Sequence, residues 1–155
     1  IPSPTMMVRR TVFEALGGYD ESLTYEDFDF WVRSSRLYDY RFLDRKLIKI
    51  RRTGSSMSSG WYQKGDRQLH SSYVICRKAI RLCRDEGDRR ALLKRLRYEV
   101  RQSIFTCNHN EAKLFFSVIG ELGAVKIQDR ILMAVNSMRL PLKRLHFLYQ
   151  FFRYN

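Results

Sequence analysis

The pattern of hydrophobic and polar residues changes near residue 60 of the 155-residue chain. Before that point, short apolar runs predict strands over residues 5–9, 38–42 and 47–51. Helical spacing predicts two helices in the same region, over residues 11–16 and 25–37. After that point helical periodicity continues to the end, and it predicts helices near 66–85, 88–107, 111–122, 125–138 and 141–154. Asp66, Asp88 and Asn110 are the expected N-caps of the first three of these later helices.

An acid-rich stretch over residues 17–31 contains the candidate chemistry of the first region. Gly17 and Gly18 follow a short helical pattern and can adopt the positive φ that ends a helix. Thr24 is the predicted N-cap of the next helix, and Asp27 three residues later resembles the second member of a capping box. Glu26 and Asp27 would then lie near free backbone N–H groups, where the helix dipole favours an ionised carboxylate, the form that accepts a proton.

The same pattern is consistent with an ordinary helix start, because acidic residues are common in first turns. Asp27 and Asp29 also form an Asp-x-Asp, which suggests a metal site. Residues two apart on a helix point to nearly opposite sides, so we expect Asp29 to be solvated or salt-bridged and assign no metal ligand. Phe28, Trp31 and Val32 follow helical spacing and predict the buried face of this helix, with Trp31 packed against the Glu26–Asp27 turn.

Three segments together resemble the second half of a family-2 glycosyltransferase catalytic domain, over about residues 1 to 58. They are Met6-Met7-Val8-Arg9-Arg10, Phe13-Glu14-x-x-Gly17-Gly18-Tyr19-Asp20-Glu21 and Glu26-Asp27-x-Asp29-x-Trp31-x-Arg33. The resemblance implies an α/β fragment. Residues 1–60 would be the acceptor half of a GT-A fold with few short strands, and residues 61–155 a basic, mostly α-helical extension.

The resemblance also implies an activity. Such enzymes transfer a sugar from a nucleotide-sugar donor to an acceptor hydroxyl, usually with inversion. It places the catalytic base on Asp27, gives Glu26 a supporting role beside it, and puts Met6 and Asp29 on the acceptor side.

Residues 50–58 resemble the family segment that closes over the donor diphosphate. Arg51, Ser56 and Ser58 match that segment, and Arg52 adds a second guanidinium that suits a diphosphate. Thr53 replaces a histidine that often contacts metal or phosphate, which leaves the metal arrangement open. We expect a divalent metal, Mg or Mn, in a full-length parent, with its ligands mostly outside this chain. The alternative is a basic strand end that leads into a flexible loop.

The nucleotide-binding half of a GT-A domain has no counterpart in this sequence. We therefore expect a fragment that is inactive by itself and self-associates through exposed strand edges. We expect the parent protein to be cytoplasmic.

The formal net charge of +13 lies mostly in the second region. Residues 1–60 hold 10 Lys/Arg and 8 Asp/Glu, a net of +2, and residues 61–155 hold 19 and 8, a net of +11. This balance favours an anionic partner, although a solvated Arg-rich helix surface fits equally well. Basic and aromatic residues alternate over 139–155, which suits the inner face of a membrane or packing against a missing domain.

The competing hypothesis is a basic helical interaction module that binds nucleic acid or an acidic partner. The sequence contains no DNA- or RNA-reading motif, and this disfavours nucleic acid.

Overall fold

The computed structural model describes residues 5–49, 63–140 and 142. The chain divides into two compact units, Ile1–Gly60 and Trp61–Asn155. The described part of the first unit contains helices α1 (Arg10–Ala15) and α2 (Glu26–Ser34). The described part of the second contains α3 (Arg67–Leu82), α4 (Glu86–Phe105), α5 (His109–Glu121) and α6 (Ile127–Ser137).

The predicted α/β fold class is wrong, because every regular element in residues 5–49 and 63–140 is a helix. The runs predicted as strands, 5–9 and 38–42 with the described part of 47–51, are irregular. Their apolar composition favours a strand only where a neighbouring strand pairs with it and a core covers one face. Within residues 5–49 and 63–140 no strand lies beside these runs, and Met7 and Phe42 are 94% and 90% exposed, so neither condition is met there.

The core of the second unit lies where α4 packs against α3 and α5. Leu92, Leu96 and Val100 recur every four residues on α4 and form a continuous apolar stripe, as an amphipathic helix requires. Phe115 of α5 is fully buried and meets Tyr73 of α3 edge to face, with ring centroids 6.0 Å apart. These contacts hold three helices together.

Side-chain caps mark the starts of α3 and α4 in the second unit. The prediction for α3 is confirmed: the Asp66 side chain accepts from the backbone N–H of Gln68. For α4 the N-cap is Asp85, whose carboxylate accepts from the N–H of Asp88, so Asp88 lies inside the first turn. The N-cap of α5 is Asn108, not Asn110.

Asn108 has a second, long-range role. Its side-chain amide donates to the Gln63 carbonyl at 2.9 Å and to the Thr106 hydroxyl at 2.8 Å, while its oxygen accepts from the N–H of Gly65 at 2.6 Å. The α4–α5 turn is thereby bonded to the segment that precedes α3.

Helix α6 is held by both apolar and polar contacts: Leu132, Met133 and Val135 pack against the core, and its buried residues are the polar Asp129 and Asn136. The Arg97 side chain of α4 donates to both carboxylate oxygens of Asp129, from Nε at 3.0 and 3.2 Å, and also to the Ala124 carbonyl. Asn136 exchanges hydrogen bonds with His109 at the start of α5. Burial alone would raise the pKa of Asp129, but Arg97 and the N–H of Lys126 outweigh it and hold that pKa below its ordinary value.

A second acidic side chain lies within the helical unit. Glu99 is fully buried on α4 and forms an ion pair with Arg95, Nη2 to Oε1 at 2.5 Å. Burial raises the pKa of Glu99, although Arg95 partly offsets the effect. Burial is the main cause that raises the pKa of the Cys76 thiol to about 12, and the negative charge of Glu99 is a smaller one. This thiol therefore stays protonated and unreactive.

No helix in the described part of the chain is long and apolar enough to cross a bilayer. The helix predicted over 141–154 lies outside the described residues, apart from Leu142.

We expect Arg97→Met to lower the free energy of unfolding by about 3 kcal/mol at pH 7, because it leaves the buried Asp129 carboxylate without its guanidinium. The pKa of Asp129 in the folded protein is lower than its ordinary value of 3.8. The stability that the Arg97–Asp129 interaction contributes is therefore fully present at pH values above 3.8, and it disappears as the pH falls through the lower pKa of the folded state. Urea denaturation at several pH values measures this, and Lys94→Met on the exposed face of α4 is the control. Equal stability of the two variants at pH 7 would contradict the prediction.

Candidate active site at the start of helix α2

The turn after α1 is built by two glycines, as the sequence predicts. The N–H of Gly18 donates to the Phe13 carbonyl at 2.9 Å and the N–H of Gly17 to the Glu14 carbonyl at 3.0 Å, the paired bonds of a Schellman motif. Both glycines have positive φ, 71° and 72°. A Cβ at position 18 would also lie 3.2 Å from the Phe13 ring, so this position requires glycine for two reasons.

Arg33 of α2 fixes the helix to this turn. Its Nε donates to Asp29 Oδ2 at 2.7 Å, while Nη1 and Nη2 donate to the carbonyls of Leu16 at 2.6 Å and Gly18 at 2.8 Å. The Asp29 side chain is 1% exposed, so the pair is largely shielded from water. A planar guanidinium suits this arrangement because it presents several donors in fixed directions.

Three aromatic rings complete the contact between α1 and α2. Phe13, Tyr19 and Phe30 pack in a triangle with centroid separations of 5.1 to 5.5 Å. The buried residues of α2 are consequently Asp29, Phe30 and Ser34. The predicted buried face of Phe28, Trp31 and Val32 is wrong, since all three are only half-buried. The turn directs Phe30 inward, and helical spacing alone could not specify this.

Helix α2 begins one residue later than predicted. Its N-cap is Tyr25, which makes no side-chain cap, so the predicted Thr24 cap is wrong. The preceding loop explains the shift: Asp20 Oδ1 accepts from the N–H and hydroxyl of Ser22, and its carbonyl accepts from the N–H of Leu23. This local turn, with Leu23 buried, delivers Tyr25 to the cap position.

The first turn of α2 presents two neighbouring carboxylates. Glu26 and Asp27 are both half-buried, and Asp27 Oδ1 accepts from the N–H of Phe28 at 2.7 Å. A partly exposed carboxylate beside the amino end of a helix, on a fixed scaffold, can accept a proton from a bound hydroxyl group.

The other predicted site residues are distributed differently. Asp29 lies on the buried side of α2 and is salt-bridged, one of the two alternatives for it in the sequence analysis. Met6 is half-buried in an irregular segment. The predicted diphosphate-binding residues, Arg51, Arg52, Ser56 and Ser58, lie outside the described residues.

Arg33 had no predicted role, although its spacing from Asp29, i to i+4, is a recognised signal for a helical ion pair. Sequence spacing gave no sign of its bonds to Leu16 and Gly18, which come from the folded turn.

The described residues do not provide a set of ligands for the divalent metal expected in the parent. Within residues 5–49 and 63–140, no three His, Cys, Asp or Glu side chains are grouped as a metal site requires. Asp27 and Asp29 do not act as a pair, since Asp29 is bonded to Arg33.

Comparison of the chain with protein-family models, with curated proteins and with solved structures gave no match.

We expect Arg33→Met to destabilise the first unit by about 2–4 kcal/mol, because it leaves Asp29 buried without its cation. Arg33→Lys should recover only part of this loss, since a single ammonium cannot take over three directional bonds. Hydrogen exchange at the amides of Gly17 and Gly18 measures the effect locally, and the exposed Arg45→Met is the control. Wild-type protection in Arg33→Met would show that the bridge does not support the turn.

Proposed function

We propose that this chain supplies the acceptor side of an inverting glycosyltransferase and that Asp27 is its catalytic base. The observation that carries the proposal is the position of Asp27: a partly exposed carboxylate in the first turn of α2, on a helix anchored by Arg33. The resemblance of residues 1–58 to family-2 glycosyltransferases supports the same assignment. The proposal makes this chain a segment of a longer enzyme.

In the proposed reaction, Asp27 accepts the proton of an acceptor hydroxyl. The oxygen of that hydroxyl attacks the anomeric carbon of the donor sugar at the same time. The new carbon–oxygen bond forms on the face opposite the leaving nucleoside diphosphate, whose bond to the sugar breaks, so the configuration inverts. Glu26, next to Asp27, would orient the acceptor. Arg51 and Arg52 would neutralise the departing diphosphate, with the hydroxyls of Ser56 and Ser58 as further donors.

The Arg33 bridge would serve this chemistry by keeping the first turn in one place. A general base acts over hydrogen-bond distance, and small displacements of the reacting groups greatly reduce the rate. Arg33 and Asp29 would thus be positioning residues that do not touch substrate.

Substitution of the base tests the proposal in the full-length enzyme that contains this segment. We expect Asp27→Asn to lower nucleoside-diphosphate release from a panel of nucleotide-sugars by about 10²- to 10⁴-fold, because the amide cannot take the proton. Donor binding, followed by calorimetry, should remain near normal. Asp44→Asn, which removes an exposed carboxylate from the same unit, is the matched control. Near-normal turnover in Asp27→Asn with an intact fold would exclude Asp27 as the base.

The alternative, a basic interaction module, is favoured by one observation on α3. All of the charged residues on this helix are basic, and at about 100° per residue they lie on one side, opposite the core residues Leu69 and Cys76. They are Arg67, Arg77, Lys78 and Arg81. One of them, Arg77, is ion-paired with Glu121 of α5.

A gel shift with generic DNA over a range of salt tests the alternative. If α3 contacts phosphates, Arg67→Gln/Arg81→Gln should weaken binding and reduce the salt slope by roughly two. The equal charge loss of Arg90→Gln/Lys94→Gln on α4 should change the slope less. Absence of binding at low salt would rule this module out.

A further inference from the structure

Helix α6 carries its hydrophobic side chains on the outside as well as toward the core. Ile127, Ile131 and Met138 are 74%, 58% and 64% exposed, and Ala134 between them is also exposed. Their spacing of four, three and four residues places them within an arc of about 60° over roughly three turns. We call these four residues the α6 stripe.

The stripe is an exception among the helices of this unit. On α3, α4 and α5 the hydrophobic faces pack into the common core, with Leu69, Leu96 and Phe115 fully buried. On α6 the side that faces the unit carries Leu132, Met133 and Val135, which pack against the core, together with Asp129 and Asn136, which bond to Arg97 and His109. The apolar stripe is therefore not needed to hold α6 in place.

The charges around the stripe have one sign. Lys126 at the N-cap, Arg130 beside the stripe and Arg139 just beyond its end are all exposed. The single acidic residue of α6, Asp129, is buried on the far side and bonded to Arg97. The outer face of α6 thus combines apolar side chains with positive charge and presents no carboxylate.

This combination selects among the partners that could cover the stripe. A second copy would bring Lys126 and Arg130 close to the same cations, and like charges at an interface are unfavourable. Nucleic acid would satisfy the cations but not the aliphatic side chains of Ile127 and Ile131. An anionic bilayer surface satisfies both, since aliphatic groups enter the headgroup boundary while flanking Lys and Arg contact lipid phosphates.

We propose that α6 is a membrane-interface helix that rests on an anionic lipid surface through the α6 stripe, with Lys126, Arg130 and Arg139 on the headgroups. The helix lies in the plane of the interface, because its exposed apolar side chains run along one side of it. Binding of this kind is reversible and weakens with salt, because three charges and a few aliphatic groups contribute modest attraction. The proposal is independent of the glycosyltransferase assignment.

Vesicle co-sedimentation of the 155-residue chain tests it. We expect binding to phosphatidylcholine vesicles that contain phosphatidylglycerol, and none to pure phosphatidylcholine. Ile127→Gln/Ile131→Gln should weaken binding at least about tenfold, because it removes the inserted aliphatic groups. Phe42→Gln, which replaces a more exposed apolar residue of the first unit, should leave binding unchanged.

A second pair of variants locates the electrostatic part. Lys126→Gln/Arg130→Gln should weaken binding by about fivefold per charge, roughly 25-fold together. Arg90→Gln/Lys94→Gln removes the same charge from the exposed part of α4 and should have a much smaller effect. All four substitutions lie on exposed residues, and circular dichroism confirms that each variant is folded.

Several results would overturn the proposal. Equal loss in the α4 and α6 charge variants would mean that net charge alone drives binding. If Ile127→Gln/Ile131→Gln bound vesicles as strongly as the wild type, the α6 stripe would not contact the membrane. Failure to bind anionic vesicles would itself exclude the proposal. If the protein were then a dimer in sedimentation and Ile131→Gln made it a monomer, the α6 stripe would be a self-association surface. If DNA bound the protein and anionic vesicles could not compete with it, Lys126, Arg130 and Arg139 would be assigned to nucleic-acid binding.

Discussion

One guanidinium fixes the contact between α1 and α2. Arg33 bonds to a buried carboxylate on its own helix and to two carbonyls of the turn after α1. The Leu16 carbonyl is left over at the helix end, where intrahelical donors are lacking, and the Gly18 carbonyl lies in the turn that follows. A cation at this point therefore satisfies backbone and carboxylate together, and it ties α2 to the end of α1. The Phe30 ring lies against this guanidinium, with Arg33 Cζ 5.7 Å from the ring centroid.

The second unit uses the same principle at different joints. Three side chains, those of Arg97, Asn108 and Asn136, bond to groups that lie far away in sequence. The group that each one bonds belongs to a helix terminus or an adjoining turn. Apolar packing at the centre brings α3, α4 and α5 together, but it is not directional. The polar side chains supply direction, and so determine where each helix begins relative to the others in the unit.

Local signals in the sequence were sufficient for some of these features. Gly17 and Gly18 predicted the end of α1, and Asp66 predicted the start of α3, because each acts on its own turn. The strands over 38–42 and 47–51 could not be judged in this way, since a strand depends on a partner. The inward position of Phe30 and the Asn108 contacts depend on residues up to 45 positions away. In the candidate site, the Glu26–Asp27 placement on α2 followed from sequence, whereas its anchoring by Arg33 did not.

The way α6 is attached has a consequence for its dynamics. The apolar contacts of α6 with the core, through Leu132, Met133 and Val135, are only partly buried, so α6 gains less from apolar burial than α4 does and relies more on the hydrogen bonds of Asp129 and Asn136. Such a segment behaves as a separate cooperative unit, which opens while α3, α4 and α5 remain folded. Its amides would then exchange with solvent at a common rate, faster than those of α4. Helices α3, α4 and α5 form a stable base, and α6 is the helix that can detach from it.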